Sequence, residues 1–181
     1  MTDHFAVLGV PRAAWADAEE LKTRFHRLSA VRHPDAAGGD STAFTDLNAA
    51  WQTLRDPAGC LRHFLELEHP DALASASTTT APAELADVFM DIAGLRQAAQ
   101  KFAAKFAAAS SPLTKAMLEP ERVALRTRLA ALASDLETRI VQITSALRAE
   151  TLSPPQLATS LASLVFLGKW SALLVELRHG L

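Results

Sequence analysis

The sequence predicts an all-α protein in two parts, an N-terminal helical hairpin and a C-terminal three-helix bundle. Three observations lead there. Apolar residues recur at spacings of three and four along most of the chain, the period of a helix with one buried face. The composition is 49% hydrophobic but only 6% aromatic, with no Tyr and abundant Ala and Leu. Such side chains lose little entropy in a helix, whereas strands favour β-branched and aromatic residues. Finally, residues 75–82, Ser-Ala-Ser-Thr-Thr-Thr-Ala-Pro, are small and polar, carry no apolar stripe and follow Pro70, which is linker chemistry. The 181 residues therefore divide into a first block over 1–72, a linker over 73–82 and a second block over 83–181.

The first block reads as a chain of short helices. His4 to Gly9 is a brief apolar segment stopped by Gly9 and Pro11. Asp17 followed by Glu20 has the form of a capping box and starts a helix at Ala18, with Leu21, Phe25 and Leu28 on its buried face. Pro34 ends it, because proline disfavours helical geometry in the residue before it. Ala36-Ala37-Gly38-Gly39 is a flexible loop, after which Asp40 or Ser41 caps a helix whose Phe44, Leu47, Trp51 and Leu54 share one face. Pro57 breaks that helix, and Leu61, Phe64, Leu65 and Glu68 mark another before Pro70. Two helices of similar length across a tight loop imply an antiparallel hairpin.

In the second block Leu85, Val88, Ile92, Leu95, Ala99, Phe102 and Phe106 keep the three-and-four spacing without a miss, forming a bundle seam. Ser111-Pro112 marks a turn, and Pro120 either kinks the next piece or begins a new helix. Leu125, Leu129, Leu132, Leu136, Ile140, Ile143 and Leu147 form a second seam. Pro154-Pro155 breaks the chain again, and Leu157 to Leu177 is a third helix, apolar on more than one face.

A net charge of −2 gives no global attraction to nucleic acid or to an anionic membrane, so charge-based recognition has to be local. The single Cys60 excludes an intramolecular disulfide and a multi-cysteine zinc site, and reads as a small apolar residue. No metal site or cofactor is expected. No cationic and then apolar leader opens the sequence, and no long uncharged apolar run is evident, so the expectation is a soluble protein of the bacterial cytoplasm.

The residues that carry function lie around His33. Between Lys22 and Arg32 the helix holds Lys22, Arg24, Arg27 and Arg32 and no acidic residue, in a chain that is acidic overall. Lys22, His26 and Ser29 flank the apolar stripe on one side, Arg24 and Arg27 on the other. His33 and Asp35 do not read as an acid–base pair, because a Gly-Gly loop on a small hairpin offers no pocket for a substrate, and no catalytic residue is assigned. An apolar helix with a basic solvent face, then His33-Pro34-Asp35, a loop and a matching apolar helix resembles the J domain of DnaJ-type co-chaperones. That resemblance implies binding to a DnaK-type chaperone ATPase and stimulation of its ATP hydrolysis through His33, Pro34 and Asp35. It further implies that Lys22 and Arg27 meet an acidic patch on the chaperone, and His26 sits where a further basic residue is common; Arg24, on the same basic helix, is expected to join them in chaperone binding. The sequence departs from the family's pattern at Arg32, where an aromatic residue is usual, and at Ala36, where lysine is usual.

Residues 47–57, Leu-Asn-Ala-Ala-Trp-Gln-Thr-Leu-Arg-Asp-Pro, are similar to the corresponding helix of the HscB family, co-chaperones of iron–sulfur cluster assembly. The likeness continues from His63 to Asp71 and returns faintly at Phe166-Leu167-Gly168-Lys169. It implies an HscA-type chaperone partner and a bundle that binds an IscU-type scaffold protein. The matching stripe carries Phe89, Met90, Ala93, Gly94, Gln97 and Lys101, with Phe166 joining it. Its apolar part is preserved in kind, whereas Gly94, Gln97 and Lys101 stand where the family has carboxylates. Two other readings stand beside this one: a J protein with a different client, and a structural helical protein with a degenerate J domain.

Overall fold

A computed structural model describes residues 2–33, 40–76, 81–149 and 151–181. Among them the secondary structure is helical throughout, in the order α1 (His4–Leu8), α2 (Ala18–Arg32), α3 (Ser41–Leu54), α4 (Pro57–Glu68), α5 (Pro70–Ser75), a 3₁₀ turn (Ala83–Leu85), α6 (Ala86–Ala108), α7 (Pro112–Met117), α8 (Glu119–Ala149) and α9 (Pro154–His179). The all-α expectation holds. The loop expected over Ala36–Gly39, and Pro34 and Asp35 before it, lie outside the described residues.

Contacts group the chain into two units, residues 1–77 with 143–161, and residues 78–142 with 162–181. The two longest helices, α8 and α9, each contribute one end to each unit. In the segment read as linker, α5 continues the helix to Ser75, with Pro70 at its start where the missing N–H costs nothing.

The helices of the first unit begin and end on side chains visible in the sequence. The Asp3 carboxylate accepts the N–H groups of Phe5 and Ala6 and caps α1, which closes on Gly9 at φ +68°. There Gly9 N–H donates to the Ala6 carbonyl and Val10 N–H to the Phe5 carbonyl, a left-handed termination that glycine adopts without steric cost. Asp17 accepts from Glu19 and Glu20 N–H at the head of α2, and Asp40 from Thr42 and Ala43 N–H at the head of α3. The expected capping box is half made, because the Glu20 carboxylate turns to Arg24 instead of back along the chain. Pro57 takes the first position of α4, capped by Asp56 through Gly59 N–H at 2.8 Å.

Phe5, Leu8, Leu21, Leu47, Ala50, Leu54 and Cys60 form the buried core of this unit. Phe25 and Leu28 pack at its edge, and the Phe25 ring stacks on Trp51 with centroids 5.0 Å apart, joining α2 to α3. At the loop before α2, the Arg148 guanidinium from the end of α8 lies 5.0 Å from the Trp15 ring centre.

In the second unit, Leu85, Val88, Ile92, Leu95, Ala99 and Phe102 are buried, so the α6 seam is the one the spacing predicts. Leu125, Leu129 and Leu136 are buried on α8, and Leu164, Leu167, Trp170 and Leu174 on α9. Arg139 on α8 reaches Asp87 on α6 at 2.6 Å, and Lys105 on α6 reaches Glu121 on α8 at 2.9 Å. These two pairs, one at each end, set α6 and α8 antiparallel. Pro120 begins a helix rather than kinking one, since it occupies the second position of α8. The expectation of no long apolar run is corrected by α9. By length and composition it is apolar enough to cross a membrane, and its Leu161, Leu164, Leu167, Trp170 and Leu174 are buried.

Gly59 carries a constraint that spacing does not reveal. A Cβ at this position would overlap the Thr53 backbone carbonyl at the end of α3. Gly→Ala inside a helix ordinarily gains about 1 kcal/mol, while overpacking against a backbone atom costs roughly 1–3 kcal/mol. Gly59→Ala is therefore expected to lower stability by up to about 2 kcal/mol in urea unfolding, and a variant more stable than the parent would refute the close approach.

Candidate functional site

The basic helix divides into side chains that are committed and side chains that face solvent. Arg24 is committed. Its Nη1 donates to the Gly9 carbonyl at 2.6 Å, and its Nε and Nη2 donate to Glu20 Oε1 at 3.0 and 2.8 Å. It braces α2 against the end of α1, a structural task that the sequence reading did not assign to it. Lys22 is exposed, with Glu19 at 4.0 Å, too far to hold it firmly. His26 and Arg27 are exposed, and Arg32 is half-buried.

At the end of α2, His33 N–H donates to the Ser29 carbonyl at 2.9 Å, and His33 itself turns extended at φ −59°, ψ 137°. That geometry is what proline imposes on the residue before it. The His33 ring stands edge-on to Phe44 with centroids 5.1 Å apart, so the first turn of α3 supports the residue that begins the tripeptide. Spacing alone places Phe44 on the apolar face of α3. Its role beside His33 depends on a contact across the hairpin, which spacing within one helix does not show. Pro34 and Asp35 have no described placement.

On α6, Phe89, Met90, Ala93, Gln97 and Lys101 are all exposed, on the side away from the buried seam. Phe89 is 52% exposed and Met90 68%. Gly94 opens onto space on the same face. Phe166 is half-buried, its ring centre 5.7 Å from that of Trp170, with Lys169 Nζ 5.3 Å above it. The Phe89 ring is 6.4 Å from Trp170 as well, so one buried indole underlies both phenylalanines. Trp170 is not singled out by spacing on α9, and only the packing shows what it supports.

A polar cluster in the first unit also escaped the sequence reading. His63 on α4 is 3% exposed, and its Nε2 accepts the His4 backbone N–H at 3.0 Å. Nε2 is therefore unprotonated, leaving the proton on Nδ1, 3.2 Å from Glu66 Oε2. Phe5 stacks on the same imidazole at 5.5 Å and the His4 ring lies 4.5 Å away. Burial, and then the neighbouring His63, lower the His4 pKa, against smaller upward contributions from Asp3, Glu66 and Asp46. Burial pushes the Cys60 thiol up to about 12, with Asp56 adding to the effect. At neutral pH it is a packed thiol rather than a nucleophile. Among the described residues no three His, Cys, Asp or Glu side chains gather in a way that could hold a metal ion.

Residues 3–62 match the family model of the DnaJ domain. The chaperone protein DnaJ of Campylobacter hominis is 40% identical over 57 residues, 30% of this chain and 15% of that protein. The DnaJ of Acidiphilium cryptum is 43% identical over 58 residues, again 30% of this chain and 15% of that protein. Protein NolC of Rhizobium fredii is 43% identical over 58 residues, 30% of this chain and 14% of that protein. The similarity thus covers the segment from the start of α1 into α4 and about one seventh of each relative's length.

The His4 shift makes stability pH-dependent with a definite sign. A histidine whose folded pKa lies below its ordinary 6.5 takes up its proton more readily in the unfolded chain. Its stabilisation is complete above that ordinary value and falls as pH drops through it toward the folded pKa. The denaturation midpoint is expected to fall between about pH 7 and about pH 5, and to fall less steeply in His4→Asn. Equal slopes in the two proteins would remove His4 from the account.

Proposed function

We infer that this chain is a co-chaperone of the cytoplasm, with no enzymatic activity of its own and no need of nucleic acid, membrane or cofactor. Through α2 and the tripeptide His33, Pro34 and Asp35 it engages a DnaK/HscA-type chaperone ATPase and stimulates ATP hydrolysis by that partner. Through α6 it presents a client, an IscU-type iron–sulfur scaffold protein.

The chaperone half of this reading is carried by the coincidence of the DnaJ-domain match with the exposed Lys22, His26 and Arg27 beside His33. Basic side chains on one helix, in a chain of net charge −2, raise the encounter rate with an acidic surface without attracting polyanions to the whole molecule. Arg24, held by Glu20 and the Gly9 carbonyl, contributes less to that encounter.

The client half rests on the exposed Phe89 and Met90, with Phe166 beside them on the same indole. A buried tryptophan beneath two rings limits their motion before a partner arrives, which reduces the entropy lost on binding. Gly94, Gln97 and Lys101 favour a second reading, a J protein with another client, since the stripe lacks the carboxylates of the HscB pattern.

Two variants test the two halves separately. His33→Gln leaves every core side chain in place and is expected to abolish stimulation of a purified DnaK-type ATPase while helicity stays constant; undiminished stimulation would sink the mechanism. Phe89→Ala is expected to weaken binding to an IscU-type scaffold by roughly 1–3 kcal/mol, about tenfold to a hundredfold, with little change in thermal stability. Intact protein with unaltered scaffold affinity would transfer the assignment to a different client.

A further inference from the structure

Among the described residues 2–33 and 40–76, one large apolar side chain is exposed rather than packed. It is Val31, 69% exposed, in the last turn of α2 and two residues before His33. Neither packing nor local propensity accounts for a valine there. The core face of α2 is made by Leu21, Phe25 and Leu28, and Val31, four residues after Arg27, lies at the edge of that face on the Arg24 and Arg27 side and is left in solvent. A β-branched residue is a poorer helix former than lysine or arginine. The carbonyl end of a helix also favours a cation. Solubility and helix stability would both improve with a charge at this position.

Its neighbours give the position a meaning. Arg27 lies one turn back and exposed, Arg32 is adjacent and half-buried, and His33 is held against Phe44 just beyond the helix end. Val31 is thus an apolar spot within a cationic rim, the arrangement of an interface whose centre is desolvated and whose edge is charged. The geometry points to Val31 as a specificity-determining residue of the chaperone contact, inserting into an apolar recess that lies beside the acidic surface of a DnaK-type ATPase. The assignment rests on the reading of α2 as the chaperone-binding helix and adds a second kind of recognition to it. Arg27 and Lys22 act on the encounter, and their effect is screened by salt. Val31 acts once docking has excluded water, so it governs how long the complex lasts and is insensitive to ionic strength.

The experiment measures association and dissociation of the full chain with a purified DnaK-type chaperone, at low and high ionic strength, beside its ATPase stimulation. Val31→Ser is expected to raise the dissociation rate roughly tenfold at both ionic strengths and to leave the association rate unchanged. Val31→Ile, which keeps the apolar contact, retains parental affinity. Arg27→Ala is expected to show the opposite pattern, a slower association whose difference from the parent shrinks as salt rises. The side chain is exposed, so the thermal transition of Val31→Ser should match that of the parent. Unchanged dissociation in Val31→Ser, or a loss that vanishes at high salt, overturns the inference while leaving the chaperone reading in place. A parent chain that neither binds nor stimulates the chaperone overturns both.

Discussion

The apposition of α2 and α3 is the constraint on which the first unit depends. Leu21 and Leu47 are fully buried within it, and the Phe25–Trp51 stack closes it from the side. Two antiparallel helices of 15 and 14 residues would be marginal alone, because helices of this length draw their stability from burying a shared face. Everything near His33 follows from that pairing. α2 ends where Pro34 forces the preceding residue out of helical geometry, and Phe44 is close enough to support the His33 ring only because α3 returns alongside. The Arg24 bond to the Gly9 carbonyl ties the middle of α2 to the end of α1, so the solvent-facing Lys22, His26 and Arg27 project from a held helix.

What the sequence discloses and what it withholds differ in kind. Features that repeat at helical spacing, or that sit within four residues of their partner, were legible: the caps at Asp17 and Asp40, the seam from Leu85 to Phe102, the break between α3 and α4 at Pro57. Features that depend on two distant segments meeting were not. Arg24 looks like any other cation on a basic helix until the Gly9 carbonyl is placed 2.6 Å from it. His63 looks like a surface residue of an amphipathic helix until the His4 N–H needs an acceptor. Gly59 looks like a weak helix position until the Thr53 carbonyl occupies the space a methyl group would need. The candidate site divides in the same way. Its residues could be named from the tripeptide and the stripe on α6, while the supports beneath them, Phe44 and Trp170, belong to other helices.

In the second unit, ion pairs join α6 to α8. Asp87, Arg139 and Asp135 form one chain of bonds and Lys105 with Glu121 another, at opposite ends of the α6–α8 contact. Exposed pairs of this kind add little stability, but their placement opposes sliding of one helix along the other. Ser163, buried on α9, donates to Glu84 at 2.8 Å and ties the start of α6 to a third helix. With α6 held at its head by Glu84 and Asp87 and near its end by Lys105, Phe89 and Met90 remain exposed, the Phe89 ring 6.4 Å from that of Trp170.

Exposure of an apolar side chain carries no meaning by itself, because much of any folded surface is apolar. Val123 and Val141, exposed at separate points on α8, illustrate the ordinary case. Val31 and Phe89 differ in their surroundings. Each stands where a polar residue would serve solubility better, each has a neighbouring ring or cation that a binding surface would use, and neither is needed by the core beneath it. A sequence keeps the rules of local propensity and burial nearly everywhere when it specifies one fold, and the departures concentrate where something other than folding sets the residue. Val31 and Phe89 fall on different units and differ in chemistry. One is a small β-branched contact inside a basic rim, suited to an acidic surface; the other is an aromatic pair over a buried indole, suited to a broad apolar one.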